Sequence, residues 1–284
     1  MNTYSKHLHH LITEALQEDV GDGDHSTLSC IPADARGKAV LKIKQDGILA
    51  GMNVAETIFK TVEPLCIFTP YKKDGEVMKY GELAFTIEAH IGTILSCERL
   101  VLNSMQRMSG IATLTNKYVQ KLKGFHTKIL DTRKTTPNFR LLEKEAVRIG
   151  GGVNHRYALY DMIMLKDNHI DFAGGIEKAI EKAWHYVQTL KPDLKIEVET
   201  RSIEDVKKVQ AIGQNKVFRI MLDNFSPAQI REAVQLIDNQ FETEASGGIN
   251  LENIVEYAKT GVDYISVGAL THQAQSVDLS LKAL

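Results

Sequence analysis

From Thr127 onward the chain alternates between short apolar runs and amphipathic segments, and this alternation constrains the fold more than any other feature. The apolar runs are 128–130 (KIL), 162–165 (MIML), 196–198 (IEV), 219–222 (RIML), 241–245 (FETEA) and 264–267 (YISV). Between them, 139–149, 175–190, 203–212, 227–237 and 251–260 carry apolar residues at helical spacing. Short strands alternating with helices predict a parallel sheet. No G-x-G-x-x-G opens the first helix, which weighs against a dinucleotide-binding sheet. The strands end in chemically capable residues: Asp131-Thr132-Arg133-Lys134, Lys166-Asp167-Asn168-His169, Glu199-Thr200-Arg201, Asp223-Asn224, Ser246-Gly247-Gly248 and Gly268. In a barrel all such ends share one face, where active sites lie. In an open doubly wound sheet they would share only a crevice. Six strands are too few for a full eight-stranded barrel, so the expectation is an incomplete parallel α/β barrel.

The first hundred residues read differently. Residues 8–19 and 54–62 have helical spacing, and 19–24 is a turn-rich loop. Residues 38–49 partly alternate like a strand, and 67–71, 77–80 and 83–89 read as short strands separated by turns at 74–75 and 81–82. This predicts a small α+β unit with antiparallel character. A long helical pattern over 94–121, interrupted only at Ser109-Gly110, forms the bridge as one kinked helix or two. The expected domains are 1–110, with the start of the connecting helix, and 111–284, with a C-terminal segment able to pack back on the first.

Bulk properties narrow the function. Of 284 residues, 43% are apolar and 25% charged, and the formal net charge is −2, so nothing global attracts nucleic acid or an anionic membrane. Cys30, Cys66 and Cys97 match neither a zinc spacing nor a disulfide framework, which fits a reducing cytosol. Residues 1–10 lack a signal-peptide core, and no apolar run reaches membrane-spanning length, so a cytoplasmic location is expected.

Arg133, Lys134, His155, Arg156 and Lys166 fall within the 34 residues from 133 to 166, beside strand ends and Gly150-Gly151-Gly152. Cations so gathered repel one another without an anion between them, which points to a small ligand with several negative charges. The plainer reading is solvated surface charge. His155 and His169 are each open to a structural or a functional role. Glu199 and Asp223 could hold Mg²⁺ through oxygen or simply pair with the cations. The small residues Ser246, Gly247, Gly248 and Gly268 leave backbone N–H groups for a phosphate, although turns need glycine anyway. Arg99, at the start of the bridging helix, reads as a surface residue.

The motifs DTRKTTP, GGGVNHR, MLKDNH, EVET, LDN, SGGI and ISVGALTH, in this order, resemble those of the quinolinate phosphoribosyltransferase family (nicotinate-nucleotide pyrophosphorylase, carboxylating). EDVGDGDHST, DGILAG and CERLVLNSMQRMSGIAT are similar to that family's N-terminal domain and connecting helix. The resemblance covers nearly the whole chain. It implies an open α+β sandwich domain followed by an incomplete barrel with one strand more than the six read here. It implies transfer of phosphoribosyl from 5-phosphoribosyl-1-pyrophosphate to quinolinate with loss of CO₂, in NAD biosynthesis, with Mg²⁺ as cofactor. It implies a homodimer with shared sites, in which Arg99 reaches into the partner's site. Quinolinate would meet Arg99, Arg133, Lys134, His155, Arg156 and Lys166. The phosphate would meet Ser246, Gly247, Gly248 and Gly268, and the metal Glu199 and Asp223. Lys134, Lys166, Glu199 and Asp223 would carry the catalysis. One departure is Gln273, where the family often has Ser after Thr-His. The alternatives are a related protein of molybdenum uptake, a Schiff-base lyase using Lys166 or Lys134, and a non-catalytic phosphometabolite binder.

Overall fold

The computed structural model describes residues 3–284. The chain forms two compact units. One comprises residues up to 116 together with 135–151 and 270–284; the other comprises 117–134 and 152–269.

The first unit opens with α1 (Thr3–Val20) and the short α2 (His25–Cys30). There follow β1 (Arg36–Ile43), β2 (Gly47–Ile48), α3 (Met52–Val62), β3 (Ile67–Pro70), β4 (Val77–Met78) and β5 (Leu83–His90). The run over 38–49 is therefore two strands, with β2 pairing separately with β4. The main sheet is antiparallel in the order β12-β1-β5-β3, where β12 (Leu279–Ala283) is the C-terminal strand. One face of this sheet is apolar because alternate residues of a strand point the same way. Leu41, Ile43, Phe85 and Ile87 are fully buried. Phe59 of α3 meets Phe85 edge-on, with ring centroids 6.2 Å apart.

The bridging segment is one unbroken helix, α4 (Ile91–Lys121). Ser109-Gly110 does not interrupt it, and close packing explains both residues. The Ser109 hydroxyl accepts from Ala50 N at 2.9 Å and donates to Ala50 O at 3.1 Å. A Cβ on Gly110 would lie 2.1 Å from the carbonyl oxygen of Gln275, so only glycine fits.

The helix expected over 139–149 is α5 (Arg140–Ile149), and it groups with the first unit. Its Glu143 is fully buried and accepts from Arg107 Nε at 3.0 Å and Nη2 at 2.8 Å. The same carboxylate accepts from Thr136 N and Thr136 Oγ1 at 3.0 and 2.9 Å. Arg107 also donates to the carbonyls of Thr271 and Ala274. Removing one partner of such a pair strands the other charge, so Glu143→Ala is expected to lower stability by about 3 kcal/mol. A urea midpoint shift equivalent to less than about 1 kcal/mol, the range of ordinary surface changes, would contradict this.

The second unit holds β6 (Lys128–Leu130), β7 (Ile163–Leu165), α6 (Asp167–Ala173), α7 (Ile176–Leu190), β8 (Ile196–Thr200), α8 (Ile203–Gly213) and β9 (Arg219–Asp223). It continues through α9 (Pro227–Ile237), β10 (Glu242–Ser246), α10 (Ile254–Ala258) and β11 (Tyr264–Ser266). The helix α11 (Ala269–His272) then leads back to the first unit. All strands of this sheet are parallel, in the order β6-β11-β10-β9-β8-β7. The first strand thus pairs with the last, as in a barrel, while β6 and β7 remain unpaired with each other. Val153 makes a single parallel bridge to Leu130 on the free side of β6. The sheet therefore has the six strands of the six apolar runs, with this isolated bridge beside β6.

Candidate active site

Parallel pairing brings the strand ends to one edge of the sheet. Leu130 is level with Ser266, Ser246 with Asp223, Leu222 with Thr200, and Leu165 with Val198. Arg133 and Lys134 follow β6, Arg156 follows the Val153 bridge, and Lys166 follows β7. Glu199 is the penultimate residue of β8, and Asp223 ends β9.

Arg133 and Arg156 are both half-buried and act on each other. Burial and then the Arg133 charge lower the proton affinity of Arg156, against the weaker pull of Glu197 and Asp161. Arg156 Nη1 donates to Met162 O at 3.0 Å, which fixes one side of its guanidinium. Arg133 Nε is buried and has no hydrogen-bond partner. A buried donor without an acceptor costs about 1–3 kcal/mol, and here it stands beside a second cation. Both features are relieved by an anion.

Lys166 is about half exposed, and its Nζ lies 3.5 Å from Glu199 Oε2. Glu199 is almost fully buried, so this cation offsets part of its desolvation. The two alternatives held open for Glu199 are compatible: it pairs with lysine here and still presents oxygens at the strand ends. Asp223 accepts from Asn224 Nδ2 at 2.6 Å. Two carboxylates on adjacent strands fit Mg²⁺, which binds through one or two carboxylates plus waters and substrate phosphates.

At the end of β10, Gly247 and Gly248 have φ of +95° and +63°. A Cβ on Gly247 would stand 2.2 Å from Asn224 Oδ1, so the β9 and β10 loops close on each other only because this residue is glycine. Asn224 N donates to Ser246 O at 2.8 Å across the same contact. Around Gly248 the space is open. Gly268 is half-buried after β11.

His169 has a structural role: its Nδ1 accepts from Lys166 N at 3.0 Å and caps α6. Of the residues 166–169, Lys166 directly follows β7, and Asp167 already begins α6. Arg99 is exposed on α4 in the first unit.

His155 sits in the interior. Its N–H donates to Asp131 Oδ1 at 2.8 Å, and its Nδ1 accepts from Arg156 N at 2.6 Å. Its Nε2 lies 3.1 Å from Glu197 Oε2 and 3.2 Å from Glu244 Oε2. Burial alone would lower its pKa, but the two carboxylates outweigh burial and raise it to about 9. The Arg156 N–H aimed at Nδ1 opposes a second ring proton, and we take the ring as carrying one, on Nε2. Glu197 is pushed up by burial and by the Glu244 charge, whereas His155 and Arg219 hold Glu244 down against its own burial. Arg219 Nη1 is 3.0 Å from Glu244 Oε2, and its Nε and Nη2 bond Glu242 at 3.1 and 2.7 Å. Of this interior group His155 was singled out from sequence, and Glu197, Arg219, Glu242 and Glu244 were not. Their signal was alternation: Glu197 and Glu199 share one strand face, as do Glu242 and Glu244.

Comparison with known proteins bears on the whole chain. Residues 24–109 match the quinolinate phosphoribosyl transferase N-terminal domain and residues 111–282 the C-terminal domain of the same family. The chain belongs to the quinolinate phosphoribosyltransferase family. A mitochondrial quinolinate phosphoribosyltransferase [decarboxylating] 2 of Nicotiana glauca is 44% identical over 281 residues, 94% of this chain and 80% of that protein. A probable nicotinate-nucleotide pyrophosphorylase [carboxylating] of Bacillus subtilis (strain 168) is 41% identical, covering 95% of this chain and 91% of its own. The crystal structure of NadC from Streptococcus pyogenes superposes with a TM-score of 0.88 at 41% identity, covering 96% of this chain and 95% of that one. The family's α/β architecture, a small N-terminal sheet unit followed by a parallel six-stranded sheet, is the one described above. No helix among the described residues is long and apolar enough to cross a membrane.

Proposed function

We propose that the protein transfers phosphoribosyl from 5-phosphoribosyl-1-pyrophosphate to quinolinate, releasing pyrophosphate and CO₂ and forming nicotinate mononucleotide for NAD synthesis. The observation that carries this reading is the pair Arg133 and Arg156, with a buried unpartnered Nε and mutual repulsion. A dicarboxylate satisfies both guanidinium groups, and arginine offers carboxylate a bidentate fork. Lys166 and Lys134 add charge on the same edge. The backbone around Ser246, Gly247, Gly248 and Gly268 receives the 5-phosphate.

The residues act by position and field. Holding the pyridine nitrogen in line with the ribose carbon converts a bimolecular step into an intramolecular one. As the carbon–pyrophosphate bond breaks, the sugar becomes oxocarbenium-like and the nitrogen forms the new bond. The C–CO₂ bond breaks with its electron pair left on the ring carbon, where the adjacent positive nitrogen stabilises it, and that carbon then takes a proton. No covalent enzyme nucleophile is required. Glu199 and Asp223 would hold Mg²⁺, which when bound neutralises the departing pyrophosphate. The working unit is a homodimer in which Arg99 serves the partner's site. The three free cysteines suit a reducing cytoplasm.

The test is direct. Purified protein with quinolinate, 5-phosphoribosyl-1-pyrophosphate and Mg²⁺ should form nicotinate mononucleotide. Nicotinate should be a poor substrate, because one carboxylate leaves part of the cationic set unpaired and such sites reject analogues lacking a polar partner. Comparable turnover of the two acids would sink the assignment.

Glu199→Ala and Asp223→Ala should weaken Mg²⁺-dependent use of the phosphoribosyl donor and spare quinolinate binding. Carboxylates beside a dianionic acid would repel it. A variant that loses quinolinate affinity but keeps its metal dependence would show the half-sites to be reversed.

A further inference from the structure

The interior of a parallel barrel is ordinarily filled with branched aliphatic side chains. Here it holds Glu197, Glu244, Arg219 and His155, all nearly or completely buried. Buried ion pairs are often no more stabilising than apolar residues of similar volume. Their retention calls for a reason other than stability, and geometry supplies one.

The chain at His155 is tied by two hydrogen bonds, its N–H to Asp131 and its Nδ1 to the Arg156 N–H, while its Nε2 lies at ion-pair distance from Glu197 and Glu244. Glu244 is itself anchored. Arg219 reaches it at 3.0 Å, is held from the other side by Glu242, and lies 4.2 Å over the Tyr264 ring. His155, Glu197 and Glu244 have the composition of a metal site. Arg219 already supplies the cation, 3.0 Å from Glu244, and the imidazole is held between the two carboxylates as a charge contact at 3.1 and 3.2 Å. The network therefore ends on one backbone group, the N–H of Arg156.

We propose that Glu197 and Glu244 are positioning residues: they hold the His155 proton on Nε2, keep Nδ1 as acceptor for the Arg156 N–H, and so set the direction in which Arg156 meets the acid substrate. Which ring nitrogen carries the proton is decided by the hydrogen bond the other makes. Releasing Nε2 frees the ring, removes the acceptor from Arg156 N, and lets a long side chain swing. This inference rests on the reading of Arg156 as an acid-binding residue. Its effect should accordingly fall on quinolinate and not on the phosphoribosyl donor.

Glu197→Leu keeps the bulk and removes the acceptor, whereas Glu197→Gln keeps an acceptor oxygen. Glu197→Leu should raise KM for quinolinate about tenfold, change KM for the donor less than about twofold, and be largely rescued in Glu197→Gln, as expected when a buried donor loses its partner. Equal shifts for both substrates, an unchanged quinolinate KM, or no rescue by Gln would overturn the proposal. Should Glu197→Leu fail to fold, nitrogen-15 spectra of histidine-labelled wild-type protein decide. The His155 resonances, assigned by their loss in His155→Asn, should show a directly bonded proton on Nε2 and none on Nδ1. A proton on Nδ1 overturns the proposal. A wild-type chain that forms no nicotinate mononucleotide refutes the functional reading instead, and the spectrum, which needs no turnover, still separates the two failures.

Discussion

Arg133→Ala and Arg156→Ala are each expected to lower kcat/KM for quinolinate by roughly 30- to 5,000-fold, the equivalent of the ~2–5 kcal/mol lost when one member of a buried charge-assisted contact is truncated. Stability should hardly move. In the free protein burial and then the Arg133 charge lower the proton affinity of Arg156, so removing either guanidinium takes away a desolvated cation beside a second one. Arg133→Ala also removes a buried donor that has no acceptor. Arg156→Ala loses one bond to Met162 O. Lys166→Ala should likewise impair quinolinate use and cost little stability, because Lys166 is half exposed and its contact to Glu199 is 3.5 Å long. Structural cations would show the opposite pattern, with a falling unfolding midpoint and unchanged kinetics. Unaltered kcat/KM in any of the three would remove that residue from the site.

Mixing inactive Arg99→Ala protein with inactive Lys166→Ala protein, under conditions that allow subunit exchange, should restore about one quarter of wild-type activity at equal amounts. The arithmetic follows from a shared site. Half of the dimers are mixed, and each mixed dimer has one site carrying both lesions and one carrying neither. Arg99 motivates the test because it is exposed on α4, far in sequence from the cations that follow β6 and β7. If Arg99 serves its own subunit, every site keeps one lesion and no activity returns. Proven exchange without recovery would reject the assignment in trans.

The parts of the site legible in the sequence were those that local pattern specifies. Lys166, Glu199, Asp223 and Ser246 close apolar runs, and parallel pairing carries all such ends to one edge whatever the side-chain details. Helices α5, α7, α8 and α9 were readable because a 3.6-residue apolar period over ten or more residues is unambiguous. Other elements left no such trace. Val153 bridges Leu130 with a single residue, which has no period. The strand β12 pairs with β1 across nearly the whole chain, Ala283 against Ala39, a contact that no local window contains. Ser109-Gly110 resembled a break because glycine and serine usually weaken helices. The approach of Gln275 to within 2.1 Å of where a Cβ would sit makes glycine the residue that the packing requires.

The sequence by itself determined the family, the α/β order, the cationic set and the glycines at the strand ends, because each is a matter of residue type at a fixed spacing. Only the tertiary structure decided how those residues are supported. His155 and Arg156 are adjacent in the chain, yet one points among Glu197 and Glu244 while the other stands with Arg133. Glu197 and Glu199 lie on the same strand face, yet one faces a histidine in the interior and the other a half-exposed lysine. The physical reason is that burial sets the value of a charge. Depth along a strand is fixed by the register of neighbouring strands, and register is a long-range property that a residue's own sequence neighbours do not contain.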